Sequence, residues 1–129
     1  IRVLRVLRLM IFVMSYGVKF GNAHFPKCFY MDFNCRTLPN PHSIPTLREL
    51  TGLDKPVKDY VLATDKAQTI LNEARDFAIG GEERFDTVAV LFHCYGGRHR
   101  SVALAQTLYD QLSNDHDITV THRELKGNP

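Results

Sequence analysis

Thr87-Val88-Ala89-Val90-Leu91-Phe92-His93-Cys94-Tyr95-Gly96-Gly97-Arg98-His99-Arg100-Ser101-Val102-Ala103-Leu104-Ala105 is the stretch from which the rest of the chain is read. Its first six residues are mostly apolar and rich in β-branched side chains, which predicts a buried strand over 87–92. Its last residues carry an apolar pattern at helical spacing through Leu108 and Leu112, which predicts a helix to about residue 112. The nonapeptide His93 to Ser101 is then a strand-to-helix turn. Gly96 and Gly97 let backbone N–H groups approach a ligand, and the helix behind presents the positive end of its dipole. Arg98, Arg100, His93 and His99 in the same loop complete the composition of an anion site.

Cys94 and Arg100 also form a Cys-x5-Arg pattern, preceded by His93 and followed by Ser101. That is the pattern of a protein-tyrosine-phosphatase loop, where amides cradle a phosphate, the arginine grips it and a thiolate attacks phosphorus. A helix N-terminus and nearby cations favour such a thiolate. Two readings stay open. In one the loop only binds an anion. In the other Cys94 is a nucleophile, Arg100 a phosphate clamp and Ser101 an aid to the leaving thiolate. The second needs a general acid. Asp54, Asp59 and Asp65 lie upstream, none in a diagnostic motif.

A chain of 129 residues suggests one domain, residues 1–129, with enough chain for one core. Apolar and charged shares of 44% and 23% are those of a globular protein in water. A net charge of +2 permits anionic partners without announcing a nucleic-acid binder. Cys28, Cys35 and Cys94 are odd in number, and no Cys-x2-Cys is present. This predicts a reduced, cytoplasmic protein with no structural metal and no cofactor. Near the start, Arg2, Arg5 and Arg8 interrupt an apolar run too short to span a membrane, so the run reads as a strand over 3–15.

Further along, 15–21 reads as a glycine-flanked turn and 29–33 as a second strand. Pro39 and Pro41 then hold an extended loop at a strand's C-terminal end, where α/β proteins place ligand-contacting side chains. Arg36, Asn40 and His42 are its candidates. Short helices are expected over 45–50 and 55–62, each with a proline near its start. A longer one carries Ala67, Ile70, Leu71, Ala74, Phe77 and Ala78 on one face, and Gly80-Gly81 is read as its end. A last strand covers 118–121. The predicted fold is α/β: a mostly parallel sheet of about four strands with helices on its faces and the anion loop at a strand end. No Gly-x4-Gly-Lys-Ser/Thr occurs, so a Walker-type nucleotide site is unsupported.

Five blocks in order give a more specific signal. They are Ser15-Tyr16-Gly17-Val18-Lys19-Phe20-Gly21, Arg36-Thr37-Leu38-Pro39-Asn40-Pro41-His42, the run from Leu47 to Leu62, the run from Cys94 to Ala105, and His122-Arg123-Glu124-Leu125. Over roughly 15–125 the chain resembles the C-terminal domain of the RNase adapter protein RapZ. The resemblance implies a regulatory module, in an oligomer, that binds small regulatory RNA and senses glucosamine-6-phosphate. It implies a ligand pocket built from Arg36, Asn40, His42, Cys94, Tyr95, Gly96, Gly97, Arg98, Arg100 and Ser101.

This sequence departs from that pattern in four ways. The family's P-loop domain is not in these 129 residues, which implies a standalone version. Asn34 stands where the family carries an aspartate, which bears on selectivity for an amine. His93 and Tyr95 replace small residues around the cysteine. The family's basic C-terminal extension is missing, so RNA binding is expected to be weak. Lys19, Lys27, Arg48, Lys55 and Lys58 are the scattered candidates for an RNA face. Tyr16, Phe20, Phe29 and Tyr30 are candidates for base stacking or, more simply, for the core.

Overall fold

The computed structural model describes residues 10–23 and 28–125. Four strands form one sheet among them: β1 (Met10–Gly17), β2 (Phe29–Asn34), β3 (Thr87–Cys94) and β4 (Ile118–His122), in the order β2-β3-β1-β4. Every pairing is parallel, with Val13 opposite both Val90 and Val120 and Phe33 opposite Phe92. The α-helices follow in chain order: α1 (Pro45–Arg48), α2 (Lys55–Leu62), α3 (Asp65–Phe85) and α4 (Arg100–Leu112). Short 3₁₀ turns cover Val18–Phe20 and Pro41–Ser43. No helix among the described residues is long and apolar enough to cross a membrane.

The α/β class, the parallel sheet and its four strands match the sequence reading. Several boundaries differ. The first strand runs on to Gly17, and the part expected over 3–9, with Arg2, Arg5 and Arg8 around it, lies outside the described residues. β3 extends through His93 and Cys94, because both still pair with β1.

The largest correction is to α3, which does not stop at Gly80-Gly81 but continues to Phe85. Gly81 is there for packing: a Cβ on it would lie 2.5 Å from Cγ1 of Val88 on β3. The helix ends instead at Asp86, whose φ of 66° closes the last turn. Aspartate tolerates that left-handed region better than most residues. At the other end, Thr64 Oγ1 accepts from the Ala67 amide at 3.2 Å and caps the first turn.

All four helices lie on one face of the sheet rather than on both. The crossovers from β2 to β3 and from β3 to β4 step the same way along the sheet, so right-handed connections place their helices together. Ile11, Val13, Phe33, Val88, Val90 and Phe92 pack there with Val57, Val61, Leu71, Leu104 and Leu108. The opposite face carries a smaller cluster, Tyr16, Ala89 and Leu91, covered by Phe12, Val18, Ala23 and Cys28.

Candidate functional site

A cleft of about 490 Å³ opens at the carboxyl ends of β1 and β3. Its floor is the turn from Cys94 to Arg100, which enters from a strand and leaves as a helix. Three backbone bonds brace this turn. Lys19 N–H donates to Tyr95 O at 3.1 Å, Gly52 N–H to Arg98 O at 2.9 Å, and Ala103 N–H to His99 O at 2.9 Å. Gly97 adopts φ 74°, and a Cβ there would sit 2.5 Å from both Glu124 Cγ and Gly17 N. Gly17 is equally confined, since its Cβ would lie 2.4 Å from the carbonyl carbon of Gly96. Glycine at these two positions lets the end of β1 lie directly on the loop.

Glu124 locks that contact from the far end of the chain. Its Oε2 accepts from Gly17 N–H at 3.1 Å and from Arg123 Nε at 2.8 Å. Arg123 also donates to Gly21 O at 2.7 Å. Beneath this turn His122 is buried at 3% exposure. Its Nε2 donates to Gln106 Oε1 at 2.9 Å, so its Nδ1 accepts the Ser15 hydroxyl at 2.7 Å. Burial pushes the His122 pKa down from 6.5 to about 4.

The cleft is strongly cationic. Lys19, Arg48, Arg98 and Arg100 line it beside His42 and His99, against one carboxylate among the described residues, Glu49. His99 donates from Nε2 to Arg48 O at 3.1 Å. Burial, with Arg98 and His42 adding to it, lowers the His99 pKa, which favours the neutral ring. α4 starts at Arg100 with no side-chain cap and no acidic residue in its first turn. Among the described residues no acceptor pairs with the amides of Gly96, Gly97, Arg98 or His99. Exposed Phe20 and Tyr95 stand on the rim, with Lys19 Nζ 5.2 Å and 5.7 Å from their ring centres.

The expected site residues divide. Asn40, His42, Cys94, Tyr95, Gly96, Gly97, Arg98 and Arg100 all line the cleft. Asn40 Oδ1 accepts the His42 amide at 3.1 Å, which caps the turn that presents His42. Ser101 is fully buried behind Cys94, its Oγ 3.2 Å from Sγ. Arg100 is 8% exposed, and its Nη1 donates to Arg36 O at 2.6 Å, with Leu38 O at 3.4 Å. It therefore ties the 36–38 loop to α4 as well as facing the cleft. Arg36 itself lines a different depression.

His99, read from sequence as part of the anion loop, lines the cleft as well, and Lys19, Phe20, Arg48 and Glu49 line it without having been placed there from sequence. Lys19, Phe20 and Arg48 carried a signal, as scattered basic and aromatic residues, but their convergence depends on the fold. Glu49 carried none. Of the other residues singled out, Tyr16 is buried, Phe29 stacks on Phe77 and packs tilted against Phe85, and Lys55 pairs with Asp59. Lys27 lies outside the described residues. Neither Asp54, Asp59 nor Asp65 reaches the cleft: Asp54 accepts the Thr51 amide, and Asp65 opens α3. Among the described residues no group of histidines, cysteines and carboxylates is placed to hold a metal ion.

Residues 9–126 match the model of a protein family described as the RapZ C-terminal domain. Curated proteins similar to this chain carry the name nucleotide-binding protein. One from Clostridium acetobutylicum is 36% identical over 125 residues, spanning 92% of this chain and 42% of that protein. One from Nitratidesulfovibrio vulgaris is 40% identical over 129 residues, spanning 95% and 41%. One from Lactobacillus acidophilus is 40% identical over 118 residues, spanning 88% and 39%. The chain thus spans about two-fifths of the length of these relatives.

Proposed function

The chain belongs to the RapZ C-terminal domain family, and on that premise we propose that it is a regulatory binding module whose cleft takes a phosphorylated metabolite of the glucosamine-6-phosphate kind. The observation that carries this reading is the start of α4. It has no cap, no acidic residue, four preceding amides without an acceptor among the described residues, and a ring of cations around them. Unpaired donors at a helix N-terminus are a ready anion site. Each bond from such a donor to a charged phosphate contributes about 1.5–3 kcal/mol. Asn40 and His42, at the other wall, meet the hydroxyls or amine of the sugar. Arg48, Lys19, Phe20 and Tyr95 on the rim also suit a strand of RNA, whose binding would weaken as salt is raised.

The phosphatase reading has one observation in its favour, the 3.2 Å approach of Ser101 Oγ to Cys94 Sγ. Against it, Glu49 is the one carboxylate among the described residues lining the cleft, and Asp54, Asp59 and Asp65 lie elsewhere. None of the aspartates the sequence offered as general acid lines the cleft, so binding is favoured over turnover.

Phosphorus NMR of glucosamine-6-phosphate with the protein separates the readings. A shifted ester signal, stable overnight and weakened at least tenfold by Arg98→Ala, is expected. Growth of inorganic phosphate that stops with Cys94→Ser would replace binding by catalysis. An unmoved ester signal would remove this ligand, and titration of a small RNA at two salt concentrations would follow.

A further inference from the structure

His93 and Cys94 are consecutive on β3, so their side chains leave opposite faces of the sheet. Cys94 faces the helices and the cleft. His93 lines a separate depression of about 570 Å³, with Tyr16, Asn22, Tyr30, Asp32 and Arg36 among its other walls. The second depression lies on the face that carries no helix.

Its polar groups are arranged rather than scattered. Asp32 sits on β2, diagonal to His93 across the strand pair. Its Oδ1 lies 2.8 Å from His93 Nδ1, and its Oδ2 accepts the Tyr16 hydroxyl. Burial first, and Asp32 second, push the Tyr16 pKa up, so the phenol stays a donor. A carboxylate offers only acceptors, which places a proton of the imidazole on Nδ1. Nε2 is then left without a partner among the described residues, in a side chain only 16% exposed.

Arg36 is held in a complementary way. Its amide donates to Asn34 Oδ1 at 2.8 Å and its carbonyl accepts from Arg100. Among the described residues no carboxylate pairs with its guanidinium. A fixed backbone therefore holds Arg36, with no carboxylate partner among the described residues, at the depression that His93 lines. An apolar sheet face would need neither group, and part-burying the Tyr16–Asp32–His93 network has a cost that packing does not explain.

We propose that this depression is a second oxyanion site, distinct from the cleft, in which the Arg36 guanidinium and Nε2 of His93 hold a phosphate group. Asp32 is the positioning residue: it fixes the ring of His93 through the Nδ1 contact and leaves Nε2 facing the depression. The planar guanidinium gives two parallel donors to one phosphate face, and His93 Nε2 meets a phosphate oxygen or its hydroxyl from the side. The ligand is a free phosphate or the phosphate end of a larger polar molecule.

The test is a nitrogen-15 and proton NMR titration of the whole chain with inorganic phosphate near pH 6.5, with acetate as a parallel arm. The side-chain resonances of His93 and Arg36 are expected to shift saturably in the wild type and in Arg98→Ala, which weakens only the cleft. Arg36→Ala, at an exposed side chain, should weaken this response at least tenfold. Asp32→Asn should weaken it several-fold and release His93 into a mixture of tautomers visible in its nitrogen shifts. An equal response to acetate would overturn the phosphate assignment. Signals that stay still, or that move only with the Gly96 and Gly97 amides and vanish in Arg98→Ala, would overturn the second site.

Discussion

His122 makes the bracing of the cleft depend on pH. Neutral, it donates to Gln106 and accepts from Ser15, joining β4, α4 and β1. Its pKa falls from 6.5 to about 4 on folding because the ring is buried. The unfolded chain therefore binds a proton between these values that the folded chain does not, and stability falls as pH drops through that window. A fall from 6.5 to about 4 corresponds to roughly 3 kcal/mol, fully lost only below pH 4. His99, also lowered by burial, adds in the same direction. Carboxylates titrate in part of the same range, so the assay must isolate His122. Urea unfolding of wild type and His122→Gln at pH 7, 6, 5 and 4 does this. The variant is less stable at pH 7, where it lacks the paired imidazole. The gap between the two should shrink steadily toward pH 4, by about 3 kcal/mol in all. A gap that stays constant across the series would refute the reasoning.

The other predictions concern glycines and a cap. A Cβ at Gly80 would meet nothing within 4 Å, so Gly80→Ala should raise stability by about 1 kcal/mol in thermal unfolding. Gly81→Ala meets Val88 and should lower it by about 1–3 kcal/mol, against the same helical gain. Gly97→Ala must hold φ near 74° and overlaps Glu124 and Gly17, so a loss of about 3 kcal/mol is expected, with phosphate binding in the cleft lost alongside. Thr64→Ala removes the cap of α3 and should cost about 1 kcal/mol in urea unfolding while leaving ligand binding unchanged.

The parts of the fold legible in the sequence are those decided locally. The block 87–92, the glycines and the apolar spacing after Arg100 each carry their own signal, so strand, turn and helix were readable, and the parallel sheet followed. Gly80-Gly81 misled because a glycine pair has two causes, a helix end or a close contact. The second is visible only once α3 lies on Val88. The strap from Glu124 to Gly17 spans 107 positions and left no local trace beyond the His122–Leu125 block. The cleft was largely readable because most of its residues sit in two contiguous loops. Lys19 and Arg48 came to it from elsewhere through the pairing of β1 with β3 and the packing of the helices.

Arg36 shows why motif proximity is a poor guide at strand ends. It lies in the same loop as Asn40 and His42, yet it turns away from them, while Arg100, six residues past Cys94, reaches back to hold its carbonyl. Side chains alternate across a sheet, so a functional run that straddles a strand end is divided between two faces. His93 and Cys94 are divided in this way, and so are Asp32 and Phe33. With every helix on one face, the two halves meet different surroundings: a helix N-terminus and its amides on one side, a carboxylate-pinned histidine on the other. The same carboxyl edge of the sheet therefore builds two chemically different polar depressions from neighbouring residues. Arg100 on Arg36 is the bond through which a change in one would reach the other.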